Sequence, residues 1–252
     1  MDRPHGGQAG PARAGGARVN AVTEARSTKL IEARDLVLSF GETPALRGAS
    51  LTIHRGEIVA VMGPSGSGKS TLLHCLAGIL VPAQGEVWFG GQRLDTRSDD
   101  KRSALRRDQF GFVFQTGQLV PELTAEENVA LPLLLSGTRR GPAMTAARKW
   151  FAALGLDGLE RRRSGELSGG QAQRVALARG LVANPEVLFA DEPTGSLDSM
   201  SGELVMDLLT AAVREQGTTV VLVTHDARVA AYADREVIVR DGKVSTLTGA
   251  EA

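Results

Sequence analysis

The stretch "GPSGSGKST", residues 63–71, decides the fold of this chain. It matches the pattern G-x-x-x-x-G-K-[ST], in which glycines let backbone N–H groups turn inward around phosphate oxygens at the N-terminus of a helix. The apolar run "EIVAVM" precedes it, and "LLHCLAGIL", which is apolar on one face at helical spacing, follows it. Strand, glycine loop and helix in this order are the context that the motif requires. The chain is therefore predicted to bind a nucleotide in an α/β fold.

Two residues of this loop have predicted tasks beyond the backbone. Lys69 is expected to reach the β- and γ-phosphates, and the Ser70 hydroxyl is expected to hold Mg²⁺. The predicted nucleotide-binding residues of the loop are Gly63, Pro64, Ser65, Gly66, Ser67, Gly68, Lys69, Ser70 and Thr71.

A second stretch, "VLFADEPTGSLD", brings two acids to the carboxyl end of a buried strand. Asp191 suits the coordination shell of a magnesium ion, and Glu192 can orient and deprotonate the water that attacks the γ-phosphate. The alternative is a pair of N-cap residues just after a strand, which would not account for the independent phosphate loop.

The remaining apolar runs outline the sheet. Several buried strands separated by helical segments indicate a largely parallel sheet covered on both faces, which binds ligands at the carboxyl ends of its strands. The stretch "LIEARDLVLSF" is predicted to be a strand, and "REVIVRDGKVSTL" a hairpin that turns at Asp241-Gly242. A third prediction is a hairpin in "EVWFGGQRL", with Trp88 in the core.

Composition suggests where the domain begins and ends. Residues 1–29, rich in Gly, Ala and Arg, are predicted to be a disordered tail, and residues 248–252 a short C-terminal tail. A single domain is predicted over 30–247, with an inserted helical subdomain at about 95–180.

Charge and cysteine content exclude several classes of protein. The 252 residues contain 29 basic and 29 acidic side chains, so no overall field draws the chain to nucleic acid or anionic lipid. The single cysteine, Cys75, excludes an internal disulfide and is predicted to pack as a small apolar residue. No apolar run approaches the ~18 residues that span a bilayer, and the N-terminus lacks a signal-peptide core, so a cytoplasmic protein is expected.

Four motifs in order, "GPSGSGKST", "LSGGQ", "LFADEPTGSLD" and "VTHD", resemble those of the ATP-binding cassette (ABC) family. The resemblance covers about residues 30–247, and "LSGGQ" is its discriminating part, since phosphate loops occur in many other NTPases. It implies a P-loop NTPase fold with a mainly parallel sheet, an N-terminal antiparallel β subdomain and an inserted α-helical subdomain. It also implies ATP and Mg²⁺ as cofactors.

The resemblance assigns roles to further residues. Phe40 stands where the family places an aromatic, usually tyrosine, that stacks on adenine; a place in the core at the strand end is the equally open alternative. Gln115 resembles the glutamine that contacts magnesium and the attacking water, and His225 the histidine that contacts the γ-phosphate. Asp198 resembles the acid that crosses to a partner cassette. With Gln115, the implied magnesium ligands are Ser70 and Asp191.

The loop at residues 166–171, "ELSGGQ", poses a different question, because it is a second glycine-containing helix start. Ser168 can cap the helix, and Gly169 and Gly170 leave first-turn N–H groups open to an anion. Without a basic residue it would be a weak phosphate site alone. In ABC proteins the corresponding loop completes the nucleotide site of another subunit. The implied contacts are Ser168, Gly169, Gly170 and Gln171.

Within the family, "LRGASLTIHRGEIVAVMGPSGSGKSTLL" and "GQLVPELTAEENVALPLLLSG" resemble the MacB/LolD/FtsE group. The group implies an ATP-hydrolysing cassette in a head-to-tail dimer that moves a membrane permease for export, lipoprotein release or mechanotransmission. The implied partners are a second cassette and that permease, at the inner face of the cell membrane, with no direct contact to nucleic acid.

Two alternatives remain at this point. A soluble ABC ATPase acting on ribosomes or nucleic acid would use the basic clusters "RRRS" at 161–164 and Arg106-Arg107, although solvated charge or partner contact explains such clusters more often. Translation-factor members generally carry two cassettes, and DNA-repair members a long coiled coil, neither of which is found in this sequence. A non-hydrolysing regulatory cassette is disfavoured because all the catalytic positions are filled.

Overall fold

The computed structural model describes residues 28–246. The tail predicted for residues 1–29 therefore lies almost wholly outside the described residues, as does the tail predicted for 248–252. Lys29, which the sequence assigns to the N-terminal tail, is already the first residue of a strand.

Ten strands form two sheets within the described range. They are β1 (Lys29–Phe40), β2 (Thr43–His54), β3 (Ile58–Met62), β4 (Gln84–Phe89), β5 (Gln92–Arg93), β6 (Phe110–Phe114), β7 (Val187–Asp191), β8 (Thr219–Val223), β9 (Arg235–Arg240) and β10 (Lys243–Thr246).

The larger sheet has the order β10-β9-β3-β8-β7-β6, and all its neighbouring strands are parallel except the hairpin β9-β10. The smaller sheet is antiparallel, with the order β2-β1-β4-β5. Both predicted hairpins, at Gly90-Gly91 and Asp241-Gly242, are confirmed. Apart from Asp191 and Thr219, strands β3, β7 and β8 consist of apolar residues, and nearly all of their residues are buried, which is typical of parallel strands covered on both faces.

Seven α-helices and a short 3₁₀ turn, Ser164–Glu166, connect these strands in the described range. The helices are α1 (Lys69–Leu76), α2 (Asp99–Gln109), α3 (Ala125–Leu135), α4 (Arg140–Ala153), α5 (Gly169–Leu181), α6 (Ser199–Gln216) and α7 (Ala227–Ala230).

Each face of the larger sheet has its own core. One core joins α1 and the antiparallel sheet to the parallel strands, with Phe110 in edge-to-face contact with Phe89 and Phe189 at centroid distances of 4.9 and 5.2 Å. The other joins α3 to α6 to the opposite face. Cys75 is buried in the first core, and this burial raises the pKa of its thiol to about 12, so its predicted packing role is confirmed.

Two expectations differ from the structure. The range predicted as helical contains β6, which pairs with β7 in the parallel sheet and packs against α5. A run of five residues such as "FGFVF" is too short for periodicity to separate strand from helix. The domain division itself stays a prediction.

Trp88 is the second difference, because it is only half-buried. Its neighbours Val87 and Phe89 point into the core, so strand alternation puts the indole on the opposite face of β4. There its ring lies between the guanidinium groups of Arg34 and Arg93, at 5.4 and 5.5 Å from the ring centroid. Among the described residues, no helix combines the length and the apolar character that a membrane crossing requires.

Candidate nucleotide site

The phosphate loop joins β3 to α1, and two of its glycines have no room for a side chain. Gly63 has φ +145°, and a Cβ there would lie 2.1 Å from the carbonyl oxygen of Val239. Gly68 has φ +105°, and a Cβ there would lie 2.4 Å from the carbonyl oxygen of Ala45. Glycine is therefore required at both positions by conformation and by space.

Helix α1 begins without a side-chain cap. Its N-cap residue is Gly68, in the left-handed region, and no side chain accepts a hydrogen bond from the first turn. The first N–H groups of a helix have no intrahelical partner and form an anion site when no side chain occupies them. The start of α1 is therefore open to a phosphate.

Lys69 lies over this loop. The side chain is only 7% exposed, and its Nζ donates to the carbonyl oxygens of Gly63 and Pro64 at 2.8 and 2.9 Å. Both acceptors are neutral, so a phosphate would be the first anion paired with this ammonium group.

Two buried oxygens beside the loop have no hydrogen-bond partner in the described part of the chain. They are Oγ of Ser67 and Oδ1 of Asp191, the last residue of β7. Burial raises the pKa of Asp191, and a hydrogen bond from Ser70 opposes that rise in part. Unsatisfied buried oxygens are rare in folded proteins, and here they indicate a site for a phosphate and a cation.

The donors present fit Mg²⁺. Ser70 and Gln115 offer neutral oxygens and Asp191 offers a carboxylate, which are the hard ligands that this ion prefers. No group of three or more His, Cys, Asp or Glu side chains is suited to hold a metal ion within residues 28–246. A magnesium ion would therefore take its remaining ligands from phosphate and water, as is usual for nucleotide-bound magnesium.

Glu192 follows β7 in a left-handed backbone conformation, with φ +49°. Its N–H donates to the carbonyl oxygen of Val223 at 2.9 Å, which ties this turn to the end of β8. The Oε1 atom of Glu192 lies 2.7 Å from Nδ1 of His225. A non-glycine residue with positive φ is strained, and such strain concentrates where a side chain is aimed at a ligand.

Gln115 lies just after β6, against the turn that follows the two acids. Its backbone oxygen accepts a hydrogen bond from the Ser196 hydroxyl at 2.7 Å. Its amide packs so closely on Gly195 that a Cβ there would be 2.9 Å from Nε2.

Most of these groups converge on one cleft of about 780 Å³, although Asp191 and Ser67 are not among its lining residues. Gln115, Glu192 and His225 line it together with most of the phosphate loop. Phe40 also lines it and is 56% exposed, so the alternative of a core residue at the strand end is wrong. Four widely separated segments of the sequence, the phosphate loop and those containing Gln115, Glu192 and His225, are thus brought to the carboxyl edge of the parallel sheet.

The loop at 166–171 lies elsewhere. Ser168 caps α5: its Oγ accepts from the Gln171 N–H at 3.3 Å, and Oε1 of Gln171 accepts from the Ser168 N–H at 2.9 Å. The predicted cap is therefore confirmed. Within the described residues, 168–171 do not line the cleft, and neither does Asp198, which caps α6 by accepting from the Ser201 N–H at 3.0 Å.

A family model described as "ABC transporter" matches residues 46–195, more than half of the chain. The chain belongs to the ABC transporter family. Family membership confirms the predicted P-loop NTPase fold and identifies this chain as an ATP-hydrolysing cassette.

Relatives place the cassette in the MacB/LolD group. It is 45% identical over 226 residues to the macrolide export ATP-binding/permease protein MacB of Marinobacter nauticus, covering 88% of this chain and 35% of MacB. It is 42% identical over 221 residues to the lipoprotein-releasing system ATP-binding protein LolD of Geobacter metallireducens, covering 86% of this chain and 98% of LolD. The cassette thus spans about a third of MacB and nearly all of LolD.

Solved structures agree with these relatives. The dimeric structure of MJ0796, described as a bacterial ABC transporter cassette, has a TM-score of 0.80 and 39% identity, covering 88% of this chain and all of that one. A dimeric post-hydrolysis state of MJ0796, bound to ADP and Pi, has a TM-score of 0.79 and 38% identity at the same coverage. None of these relatives is named for ribosomes or nucleic acid, so that alternative gains no support.

Sequence reasoning missed two residues of α5 that bind the segment around Gln115. Nε2 of Gln173 donates to the carbonyl oxygen of Phe114 at 2.9 Å, and the Arg179 guanidinium donates to Gly117 and Gln118. No local pattern signals a bond to a backbone carbonyl about sixty positions away.

Proposed function

We propose that two cassettes pair head to tail, hydrolyse ATP in two shared sites and move a membrane permease. The observation that carries this proposal is the division of the motifs between two surfaces. The cleft gathers most of the phosphate loop with Gln115, Glu192 and His225, whereas residues 168–171 do not line it. A second copy would bring its own loop at 168–171 to the γ-phosphate held by Lys69.

The chemistry follows from the cleft. Lys69 and the N–H groups of the loop hold the phosphates, and Phe40 offers its exposed face to the adenine. Glu192 accepts a proton from the attacking water as the bond from the γ-phosphorus to the leaving oxygen of ADP breaks. His225, at 2.7 Å from Glu192, orients that carboxylate and reaches the γ-phosphate. Magnesium, held by Ser70, Asp191 and Gln115, would draw charge from the phosphate oxygens.

The permease would bind an apolar groove of about 430 Å³ beside the helical region. Leu135 is 64% exposed and Ile79 40% exposed, and both line it with Phe112 and Phe114. No acidic side chain is among its lining residues in the described range, and the basic ones are Arg106, Arg107 and Arg179. An amphipathic cytoplasmic helix with a carboxylate on its apolar face fits this lining, and binding it would hold the cassette at the inner face of the membrane.

Glu192→Gln tests the hydrolytic assignment. Removing a general base lowers turnover by about 100-fold or more, while ATP binding and pairing stay intact. We expect an ATP-bound dimer on size-exclusion chromatography and almost no phosphate release. Glu186 is an acid that directly precedes β7 and pairs with Arg55 outside the cleft, so Glu186→Gln is the matched control and should hydrolyse ATP normally. Normal turnover in Glu192→Gln would exclude Glu192 as the base.

Leu135→Glu tests the groove. The wild-type cassette should recover a membrane subunit from a detergent extract, and the variant should not, because a buried carboxylate would meet the partner's apolar face. ATP binding should be equal in the two proteins. Equal recovery by both would exclude this surface, and recovery of ribosomes or DNA in place of a membrane subunit would support the soluble alternative.

A further inference from the structure

Helix α5 starts at the loop 166–171 and reaches back to the segment around Gln115. Gln173 is buried, 1% exposed, and its amide donates to the carbonyl oxygen of Phe114 at 2.9 Å. Arg179, two turns further along, donates to the carbonyl oxygens of Gly117 and Gln118 at 2.7 and 2.8 Å. Three hydrogen bonds from one helix therefore bracket Gln115 in the sequence.

Arg179 is an unusual residue for this task. Burial lowers the pKa of its guanidinium, and no carboxylate forms an ion pair with it within residues 28–246. A partly buried cation that has only neutral hydrogen-bond acceptors lowers the stability of the fold. Such a residue is therefore better explained by a role in positioning its neighbours than by a contribution to stability. The planar fork of arginine holds these two successive carbonyls through two different nitrogens, Nη1 and Nη2, a geometry that the single Nζ of a lysine does not reproduce.

The segment is held from the other side as well. Ser196 donates its hydroxyl to the Gln115 carbonyl oxygen, and Gly195 leaves only enough space for the Gln115 amide. The position of Gln115 in the cleft is therefore set between α5 and the turn that leads to Asp198.

We infer that Arg179, assisted by Gln173, is a positioning residue that fixes Gln115 relative to the loop 166–171. The inference rests on the proposed function, because Ser168 contacts the nucleotide of one site and Gln115 that of the other. When a γ-phosphate in one site binds Ser168, α5 shifts as a rigid body. This shift moves Gln115, which contacts the nucleotide of the second site. The two shared sites are coupled through this helix, so hydrolysis depends cooperatively on ATP.

The test is Arg179→Lys in the full-length chain, with Arg174→Lys as the matched control. Arg174 lies on the same helix, is also half-buried, and donates to the carbonyl oxygens of Leu154 and Gly155 at 2.8 and 3.0 Å. Its Nε also lies 3.4 Å from the Gly170 oxygen. The control therefore alters a comparable pair of bonds to successive carbonyls, both donated by Nη1 of Arg174, just after the end of α4 and away from Gln115.

We expect Arg179→Lys to lower kcat about tenfold, to change the Kd for ATP less than twofold, and to lower the Hill coefficient for ATP towards 1. Arg174→Lys should lower the melting temperature as much while keeping kcat within twofold and the Hill coefficient at the wild-type value. Gln173→Met should follow Arg179→Lys with a smaller loss of kcat.

Amide hydrogen exchange gives a readout that does not need turnover. In Arg179→Lys, exchange should accelerate at residues 115–120, and in Arg174→Lys at 154–156. Equal kcat and Hill coefficients in the two lysine variants, or acceleration at 115–120 in both, would overturn the inference. Its failure is distinct from that of the proposed function, which Glu192→Gln tests by itself.

Discussion

The two glycine-containing loops of this molecule have similar sequences, but the helices that follow them start in different ways. The phosphate loop leaves the start of α1 without a side-chain cap, and it surrounds Lys69 and Ser67, both nearly buried. In the loop 166–171, Ser168 and Gln171 form reciprocal bonds, so the Gln171 N–H of the first turn is already occupied by a side chain. The first is a complete anion site within one chain. The second is capped by its own side chains and contains no basic residue of its own, which agrees with the proposal that it completes a site held by another chain.

The difference teaches that a glycine-rich helix start does not define a phosphate site by itself. What separates the two loops is whether the helix N–H groups are already occupied, and whether a buried cation and unsatisfied oxygens lie beside them. The Ser168 hydroxyl accepts its 3.3 Å bond from the Gln171 N–H, so its own O–H remains available to donate to a phosphate oxygen. A hydroxyl can rotate to do this at small cost.

Lys69→Ala tests the phosphate loop as a complete anion site, and it should have the largest effect on ATP binding. Loss of the buried ammonium removes a charged hydrogen bond of about 3 kcal/mol, so the affinity for ATP should fall about 100-fold or more. Titration of the monomer with a fluorescent ATP analogue measures it. Lys101→Ala, an exposed lysine on α2, is the control and should bind normally. Unchanged affinity in Lys69→Ala would break the comparison.

Ser168→Arg tests the loop 166–171 and should have a smaller effect, which is confined to pairing. In the Glu192→Gln background it should keep the affinity of the monomer for ATP within about twofold and abolish the ATP-bound dimer, because a bulky side chain blocks the second chain. Size-exclusion chromatography with and without ATP measures pairing. Ser103→Arg, at an exposed serine of α2, should still dimerise. Loss of ATP binding by the Ser168→Arg monomer would mean that this loop serves its own nucleotide.

Sequence reasoning was most accurate where chemistry and local geometry coincide. The phosphate loop, the acids at the end of β7 and the Ser168 cap depend on residues within a few positions of each other, and each has a physical reason for its spelling. Both hairpins were predicted for the same reason, since Gly90-Gly91 and Asp241-Gly242 are turns that strand twist favours.

It failed where the outcome depends on distant partners. Trp88 reads as a core residue until its alternation with Val87 and Phe89 is known from the sheet, and the arginines that flank it come from β1 and β5. The sequence places strand β6 within a range predicted to be helical, because five apolar residues are too few for hydrophobic periodicity to distinguish a strand from a helix. The bonds from α5 to the Gln115 segment join residues about sixty positions apart and could not be predicted from either end.

The glycines of the two loops have different amounts of space around them, so substitutions in the two loops should have different consequences. A Cβ at Gly63 would clash with the backbone of β9, so substitution of this glycine should cause misfolding. At Gly169 and Gly170 the nearest atoms to an added Cβ are side chains at 3.5 and 3.4 Å, which is ordinary contact. A chain with alanine at either of these glycines should therefore fold and bind ATP through Lys69 as a monomer. Its defect should appear only in ATP-driven pairing, which a screen for stability does not detect.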